Sequence, residues 1–182
     1  PLAGTDGGGS GAVKDGIMKD WILRIAKLLL LVLLAAGGLL VVKGTARQVD
    51  FGKLQADVEK AMDLSDMKQG DARMLRRFYD LNAGELAHWV LYTASDNMAV
   101  EELLLVECTS PEQAEQVLEA ARNRKETQVK NFEGSGPEQV QLLNGCVIRR
   151  DGSYVLFAVS DRVSDIKKAY RKDLFQTERT GS

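Results

Sequence analysis

The single histidine of this chain is the residue best suited to acid–base chemistry, because its charge changes near neutral pH. His88 stands between Ala87 and Trp89 at the start of a predicted strand. No second histidine or cysteine accompanies it at a spacing that would bind a metal ion or form a catalytic pair. The sequence therefore predicts a structural or surface position for His88.

The two cysteines, Cys108 and Cys146, are too few for a disulfide scaffold or a zinc module. Cys108 ends one predicted strand and Cys146 begins the next. If those strands are neighbours, the two residues could form a disulfide, which an exported location would permit. Buried free thiols are the open alternative. A reactive thiol is disfavoured, because only Arg149 and Arg150 near Cys146 supply positive charge.

Carboxylates could serve hydrolysis, but they would need a cleft and separated pKa values. The acidic candidates surround one strand and bracket one turn: Glu101, Glu102, Glu107, Asp63 and Asp66. No calcium-type loop and no glycine-rich phosphate motif is present in the sequence. We therefore expect solvated carboxylates and predict no catalytic residue, cofactor or metal site.

Basic residues cluster on two predicted helices, first Arg73, Arg76 and Arg77 and then Lys167, Lys168, Arg171 and Lys172. The second cluster could lie against anionic lipid head groups or cell-wall polymers. An ordinary solvated helix face is the favoured alternative. A net charge of -2 gives no general attraction to nucleic acid, so no nucleic-acid partner is predicted.

An apolar run over residues 28–42 contains no charged or hydrogen-bonding side chain. As a helix it would be about 22 Å long, short of the ~30 Å hydrocarbon layer of a membrane. Extension back to Trp21 gives about 33 Å and includes Arg24 and Lys27, whose long side chains can reach the head groups. The sequence predicts a transmembrane helix within residues 18–43 that contacts the lipid bilayer through residues 21–42.

A cleavable signal peptide is the alternative to a retained anchor. The best cleavage site, around Gly44, Thr45 and Ala46, is a poor match, so the anchor is favoured. The flanking charges give a weak positive-inside bias. Since the segment resembles an export signal, we expect a single-pass protein of the bacterial cell membrane with its C-terminal domain extracytoplasmic.

The remaining chain divides into a glycine-rich flexible tail (1–17), the main domain (44–176) and a disordered tail (177–182). Because Met18 begins a stretch typical of an exported protein, residues 1–17 are expected to be an upstream over-read, a fragment end or an expression remnant. Helical periodicity predicts helices over 49–64, 71–81, 109–132 and 161–175. The third has the best start signals, with Ser110 as N-cap and Pro111 and Gln113 following it.

Strand composition predicts two strands at 85–94 and 100–108 and a hairpin within 145–160. Asp151 and Gly152 form the predicted turn of that hairpin. The element order is α-α-β-β-α-β-β-α. We predict an α+β fold in which an N-terminal transmembrane helix precedes a small domain with a four-stranded antiparallel sheet and helices on one face.

The stretch "FYDLNAGELAHWVLYTASDNMAVEELLLVEC", with "LLNGCVIRRDGSYVLFAVSD" after it, resembles an uncharacterised family. That family, a domain of unknown function, comprises small exported, membrane-anchored or lipoprotein-type proteins, mostly of Gram-positive bacteria. The resemblance covers residues 50–172, and its most specific piece is "SDNMAVEELLLVEC". This chain departs from the lipoprotein members because it lacks the acylated cysteine directly after the apolar run. The resemblance implies fold and location and transfers no functional residue.

These features favour a non-enzymatic binding or interaction module held at the bacterial cell envelope. Its partner would be another envelope protein or polymer, whose local concentration the tether raises. Two alternatives stay open at this point. One is a small envelope enzyme, either a hydrolase or a thiol redox protein that uses Cys108 and Cys146. The other is a secreted domain released by signal cleavage.

Overall fold

A computed structural model describes residues 49–175 and, before them, Ile25 and Lys27. The predicted tails (1–17 and 177–182) and, apart from those two residues, the predicted transmembrane helix (18–43) lie outside the described residues. Within the described part of the chain, no helix is both long enough and apolar enough to cross a membrane.

The domain is α+β, with five α-helices and one antiparallel five-stranded sheet among the described residues. A short 3-10 turn at Ala83–Glu85 precedes the second strand. In chain order the elements are α1 (Phe51–Met62), β1 (Met67–Gln69), α2 (Ala72–Tyr79), β2 (His88–Ala94), β3 (Glu102–Glu107), α3 (Pro111–Phe132), α4 (Pro137–Asn144), β4 (Val147–Asp151), β5 (Tyr154–Val159) and α5 (Val163–Phe175).

The strands are arranged in the order β1-β2-β3-β5-β4, so β1 and β4 are the edge strands and β2, β3 and β5 lie between them. His88 pairs with Glu107 at one end of the sheet, and Glu107 pairs with Tyr154. The prediction of four strands is wrong by one. The additional strand, β1, has three residues and pairs with β2 at the sheet edge.

Helices cover both faces of the sheet, which corrects the prediction of helices on one face. Side chains of α1 and α5 pack on one face against residues such as Leu103 and Leu105. Side chains of α2, α3 and α4 pack on the other face against Leu104 and Phe157. All six residues of β5 are buried, because a strand covered on both faces has no solvated side.

Side-chain caps start three of the helices. Asp50 accepts a hydrogen bond from the backbone N–H of Lys53 (3.2 Å), and Asp71 accepts one from Met74 (2.9 Å). Ser110 accepts one from the N–H of Gln113 (3.1 Å), as its position in the sequence predicts. The helix α4 is not among the predicted elements, which leave residues 133–144 without a helix or strand.

The hairpin between β4 and β5 is present, but its loop is displaced by one residue from the predicted turn. Asp151 pairs with Tyr154, so Gly152 and Ser153 form the two-residue loop. Gly152 has a φ of 61° at the first loop position, where a type II′ turn requires glycine.

Helices α1 and α5 lie antiparallel, which gives this layer two distinct ends. Lys53, near the start of α1, forms an ion pair with Asp173, near the end of α5. Asp63, just after α1, pairs with Arg162, just before α5, at 3.3 Å. The end that holds Val49 and Phe175 is called here the entry end, because the chain enters the domain there.

Candidate functional site

His88 lies exposed at the entry end, at the first residue of β2. Its Nδ1 is 2.8 Å from Oε2 of Glu107, and its ring stacks on Phe51 with a centroid distance of 5.3 Å. Oε1 of Glu107 accepts a hydrogen bond of 2.8 Å from the Tyr154 hydroxyl. This cluster therefore ties β2, β3 and β5 to the start of α1.

An imidazole hydrogen-bonded to a carboxylate supplies two of the three members of a hydrolytic triad. Such a triad needs a hydroxyl or thiol within hydrogen-bond reach of the ring. Within residues 49–175, the His88 ring is hydrogen-bonded to Glu107 and to no nucleophile. Burial, with the hydrogen bond to Glu107, raises the pKa of Tyr154, so this hydroxyl stays protonated. The arrangement joins strands and supplies no nucleophile.

Cys108 and Cys146 are both free thiols. The backbone N–H of Cys108 donates to the Ser153 carbonyl (2.8 Å), whereas Cys146 precedes Val147, the partner of Ala158. The two cysteines thus lie at opposite ends of β5, about 20 Å apart along that strand, whereas a disulfide needs Cα atoms within ~7 Å. A disulfide between Cys108 and Cys146, one of the two states that the sequence left open, is not formed in this structure, because β5 lies between the strands that carry the two residues.

The environment of both thiols disfavours ionisation. Burial raises the pKa of Cys108 to about 11 and also raises the pKa of Cys146. A thiol with such a pKa is almost entirely protonated at neutral pH, and the thiolate is the reactive form. Both cysteines therefore behave as packing residues, and a thiol redox role gains no support.

One predicted solvated carboxylate is buried instead. Glu102 is 2% exposed and accepts hydrogen bonds from Arg124 of α3 with both carboxylate oxygens (Nη2–Oε2 2.8 Å, Nε–Oε1 3.0 Å). The Tyr79 hydroxyl, at the end of α2, donates to the same carboxylate. Phe78 stacks on the Arg124 guanidinium at 4.2 Å.

This buried cluster holds α2 and α3 against the sheet. Burial lowers the pKa of Arg124, but the hydrogen bonds to Glu102 and the charge of that carboxylate outweigh burial and raise the pKa. Sequence reasoning missed the cluster, although a signal existed. Arg124 follows Ala121 by three residues and so continues the buried stripe of α3, which contains Ala114, Val117, Leu118 and Ala121.

A small cavity of about 150 Å³ adjoins the buried cluster and is lined in part by Thr93 and Arg124. Thr93 is paired with Glu102 across β2 and β3. Its hydroxyl is buried and has no hydrogen-bond partner within the described residues. The cavity has the volume of a few water molecules at most, because each water occupies about 30 Å³ in the liquid.

An acidic cleft of about 510 Å³ lies at the end of the domain opposite the entry end. Its charged lining residues are Asp63, Asp66, Asp96, Glu101, Asp161 and Arg162. Arg162 pairs with Asp63 and leaves the other carboxylates without a cation in the lining. In residues 49–175, no group of three or more His, Cys, Asp or Glu side chains is placed to hold a metal ion.

The second predicted basic cluster forms one continuous surface on α5, here called the cationic face. It lines a shallow groove of about 410 Å³ and contains Ser164, Lys167, Lys168, Arg171, Lys172 and Phe175. No acidic side chain is in this lining, and Phe175 is 45% exposed. Lys172 pairs with Asp57 of α1 at 3.9 Å, whereas Lys167, Lys168 and Arg171 form no ion pair within the described chain.

The first predicted basic cluster, on α2, is smaller, and one of its three arginines forms an ion pair. Arg76 pairs with Asp80 at 3.3 Å, and Arg77 lies over the Phe78 ring at 5.8 Å. The cationic face of α5 is therefore the stronger candidate for binding an external partner.

Comparison with known proteins identifies a family and leaves the chemistry open. Neither the curated proteins nor the solved structures contain a match to this chain. The family model for the domain of unknown function DUF4358 matches residues 60–160, more than half of the chain. That span contains the whole sheet and α2–α4, whereas α5 lies beyond it. The exported location and the Gram-positive origin that the resemblance implied stay predictions. The resemblance to a domain of unknown function is confirmed, since the chain belongs to the family DUF4358.

Proposed function

We propose that this protein is a non-enzymatic binding module of the bacterial cell envelope, held at the membrane by a single N-terminal helix. The observation that carries the proposal is the cationic face, a groove lined by four basic side chains and an exposed phenylalanine, of which only Lys172 pairs with an acidic residue among those described. Exposed charge and apolar surface of this kind are typical of interaction sites.

The chemistry of the other candidate residues favours binding over catalysis. His88 orients towards Glu107 and stacks on Phe51, while Glu102 is fully engaged by Arg124 and Tyr79. The two thiols are protonated at neutral pH because their pKa values are raised. An enzyme would instead need converging polar groups in a pocket around a reactive centre.

The membrane assignment rests on the apolar run over residues 28–42, which joins the domain through residues 43–48. A tether this short would hold the domain beside the bilayer and raise its effective concentration towards envelope partners. The domain is proposed to lie on the extracytoplasmic side, as the export-like N-terminal segment suggests.

Protease treatment of spheroplasts that express the full chain tests this proposal. If the domain is extracytoplasmic and anchored, external protease removes it while a cytoplasmic marker protein stays intact, and a short membrane-embedded fragment remains. Protection of the domain until the spheroplasts are lysed would contradict the proposed orientation. Recovery of the mature domain from the culture medium would instead support the secreted alternative.

A further inference from the structure

The outward residues of α5 follow one helical stripe along its entire length. Positions 164, 167, 168, 171, 172 and 175 recur at intervals of three and four residues, so they share one face. Ile166, Tyr170 and Leu174 occupy the opposite, buried face. The helix is therefore built with a packed inner side and a cationic outer side that ends in an exposed phenylalanine.

The cationic face extends towards the entry end of the domain. Asp173 pairs with Lys53, so the last turn of α5 lies beside the first turn of α1. The chain passes from the apolar run at Val42 to Val49 in seven residue steps, which can span at most about 24 Å. Val49, at the entry end, would consequently lie within about 24 Å of a bilayer that holds the apolar run.

Charge is distributed unevenly between the two ends of the domain. The acidic cleft around Asp96 and Asp161 is at the far end, where α5 begins. The cationic face occupies the middle and end of α5. A negatively charged membrane would attract the cationic face and repel the acidic cleft, and both effects favour one orientation of the domain.

We infer that the cationic face of α5 docks on anionic lipid head groups of the membrane in which the chain is anchored, with Phe175 at the head-group boundary. This inference rests on the proposed membrane anchor. It goes further by naming the partner and the surface that binds it. The docked domain would present its acidic cleft away from the bilayer.

Lipid suits this surface better than a soluble polyanion does. The groove along Lys167 and Arg171 is shallow, so it matches a flat array of phosphates more closely than an enclosed ligand. An exposed aromatic ring gains from the apolar boundary of a bilayer, which a cell-wall polymer does not offer. Lysine side chains act as point charges and fit phosphates in varied positions.

The test is lysine labelling of the full chain reconstituted in two kinds of vesicle, one of phosphatidylcholine and one containing phosphatidylglycerol. Labelling of Lys167 and Lys168 by an amine-reactive reagent is followed by mass spectrometry. We expect labelling to be about fivefold slower in the anionic vesicles, the factor that one basic residue contributes near an anionic surface. Lys130, exposed on α3, serves as the internal control and should react at nearly equal rates.

Two matched variants test whether the protection of Lys167 depends on the charge of the cationic face. Arg171→Glu removes charge from the cationic face but keeps its lysine reporters, so the protection of Lys167 should largely disappear. Arg122→Glu makes the same change on an exposed position of α3 and should leave that protection unaltered. Salt near 1 M, which shortens the Debye length to about 3 Å, should also abolish the protection.

The anchor and the docking inference would be contradicted by different experimental results. A chain that does not float with phosphatidylcholine vesicles would refute the anchor and, with it, the docking inference. A chain that floats but shows equal labelling of Lys167 in both vesicles would overturn docking and leave the anchor intact. Protection that appears in phosphatidylcholine vesicles only after soluble polyphosphate is added would assign the face to a polyanion and overturn the lipid assignment.

Discussion

Replacing Arg124 with leucine should be among the most destabilising substitutions in the domain. The Arg124 side chain is 12% exposed and the Glu102 side chain is 3% exposed. Leucine at this position would leave the Glu102 carboxylate buried with the Tyr79 hydroxyl as its remaining donor. The variant would therefore retain a buried charge without its counter-ion.

The expected loss is about 3–5 kcal/mol of unfolding free energy, the range observed when one partner of a buried ion pair is removed. Most of this loss comes from burying the Glu102 carboxylate without a counter-ion, and less comes from the lost hydrogen bonds to Arg124. The triple variant Arg124→Leu/Glu102→Leu/Tyr79→Phe removes the charge, the cation and the unpaired hydroxyl together. It should recover much of the stability, because apolar replacements of a buried pair are often neutral.

Urea denaturation of the full chain in detergent, followed by near-ultraviolet circular dichroism, measures these differences. Arg122→Leu is the matched control, since Arg122 lies two residues earlier on α3 and forms an exposed pair with Glu119. Its effect should stay within about 0.5 kcal/mol. If Arg124→Leu destabilised the domain no more than Arg122→Leu, or if the triple variant were the least stable, the assignment of a buried, mutually dependent cluster would be refuted.

Three smaller perturbations test other parts of the structure. Burial raises the pKa of Cys108 from 9.0 to about 11, so its alkylation at pH 8 should be about 100-fold slower in the folded than in the unfolded state, and rapid alkylation of the native protein would contradict this. Because the folded state keeps this proton to a higher pH than the unfolded chain does, the free energy of unfolding should fall as the pH rises from about 9 to 11. Gly70→Ala would place a Cβ 2.7 Å from Leu91 Cδ2 and should cost about 1–3 kcal/mol in unfolding free energy, whereas Gly84→Ala, with its nearest atom at 3.6 Å, should cost little. Ser110→Ala removes the cap of α3 and should cost about 1 kcal/mol by the same assay, with Ser110→Asp retaining stability.

The elements with strong local signals were predictable from the sequence. The N-cap at Ser110 and the apolar spacing after it correctly predicted α3, and the paired strands β2 and β3 follow from their β-branched and aromatic content. The element β1 was missed because a three-residue edge strand has too few residues to show periodicity. The helix α4 was missed because Gly136 and Pro137 end one helix and begin the next.

The sequence contained a signal that helices cover both faces of the sheet, although the prediction placed them on one face. "ELLLVE" and "YVLFAV" are near-continuous apolar runs, which are typical of strands buried on both faces. A sheet with helices on one face would have shown alternation of apolar and polar residues instead. The burial of Glu102 could be inferred only by pairing β3 with the stripe of α3 that carries Arg124, because neither residue is unusual within its own segment.

The candidate site also has one feature that the sequence predicted and others that depend on tertiary contacts. The cationic face was visible in the sequence, since the spacing of Lys167, Lys168, Arg171 and Lys172 already places them on one side of a helix. Its position beside the entry end depends on the antiparallel packing of α1 and α5, a tertiary contact that no local pattern specifies. The separation of Cys108 from Cys146 likewise depends on strand order.

Alkaline carbonate extraction of membranes from cells that produce the full chain tests the membrane anchor most directly. High pH strips proteins that are held at a membrane by charge alone, whereas a transmembrane helix keeps its chain in the lipid. The intact polypeptide should stay in the pellet after ultracentrifugation, and the Arg171→Glu variant should behave identically. Quantitative release of the intact chain into the supernatant would contradict the proposed function.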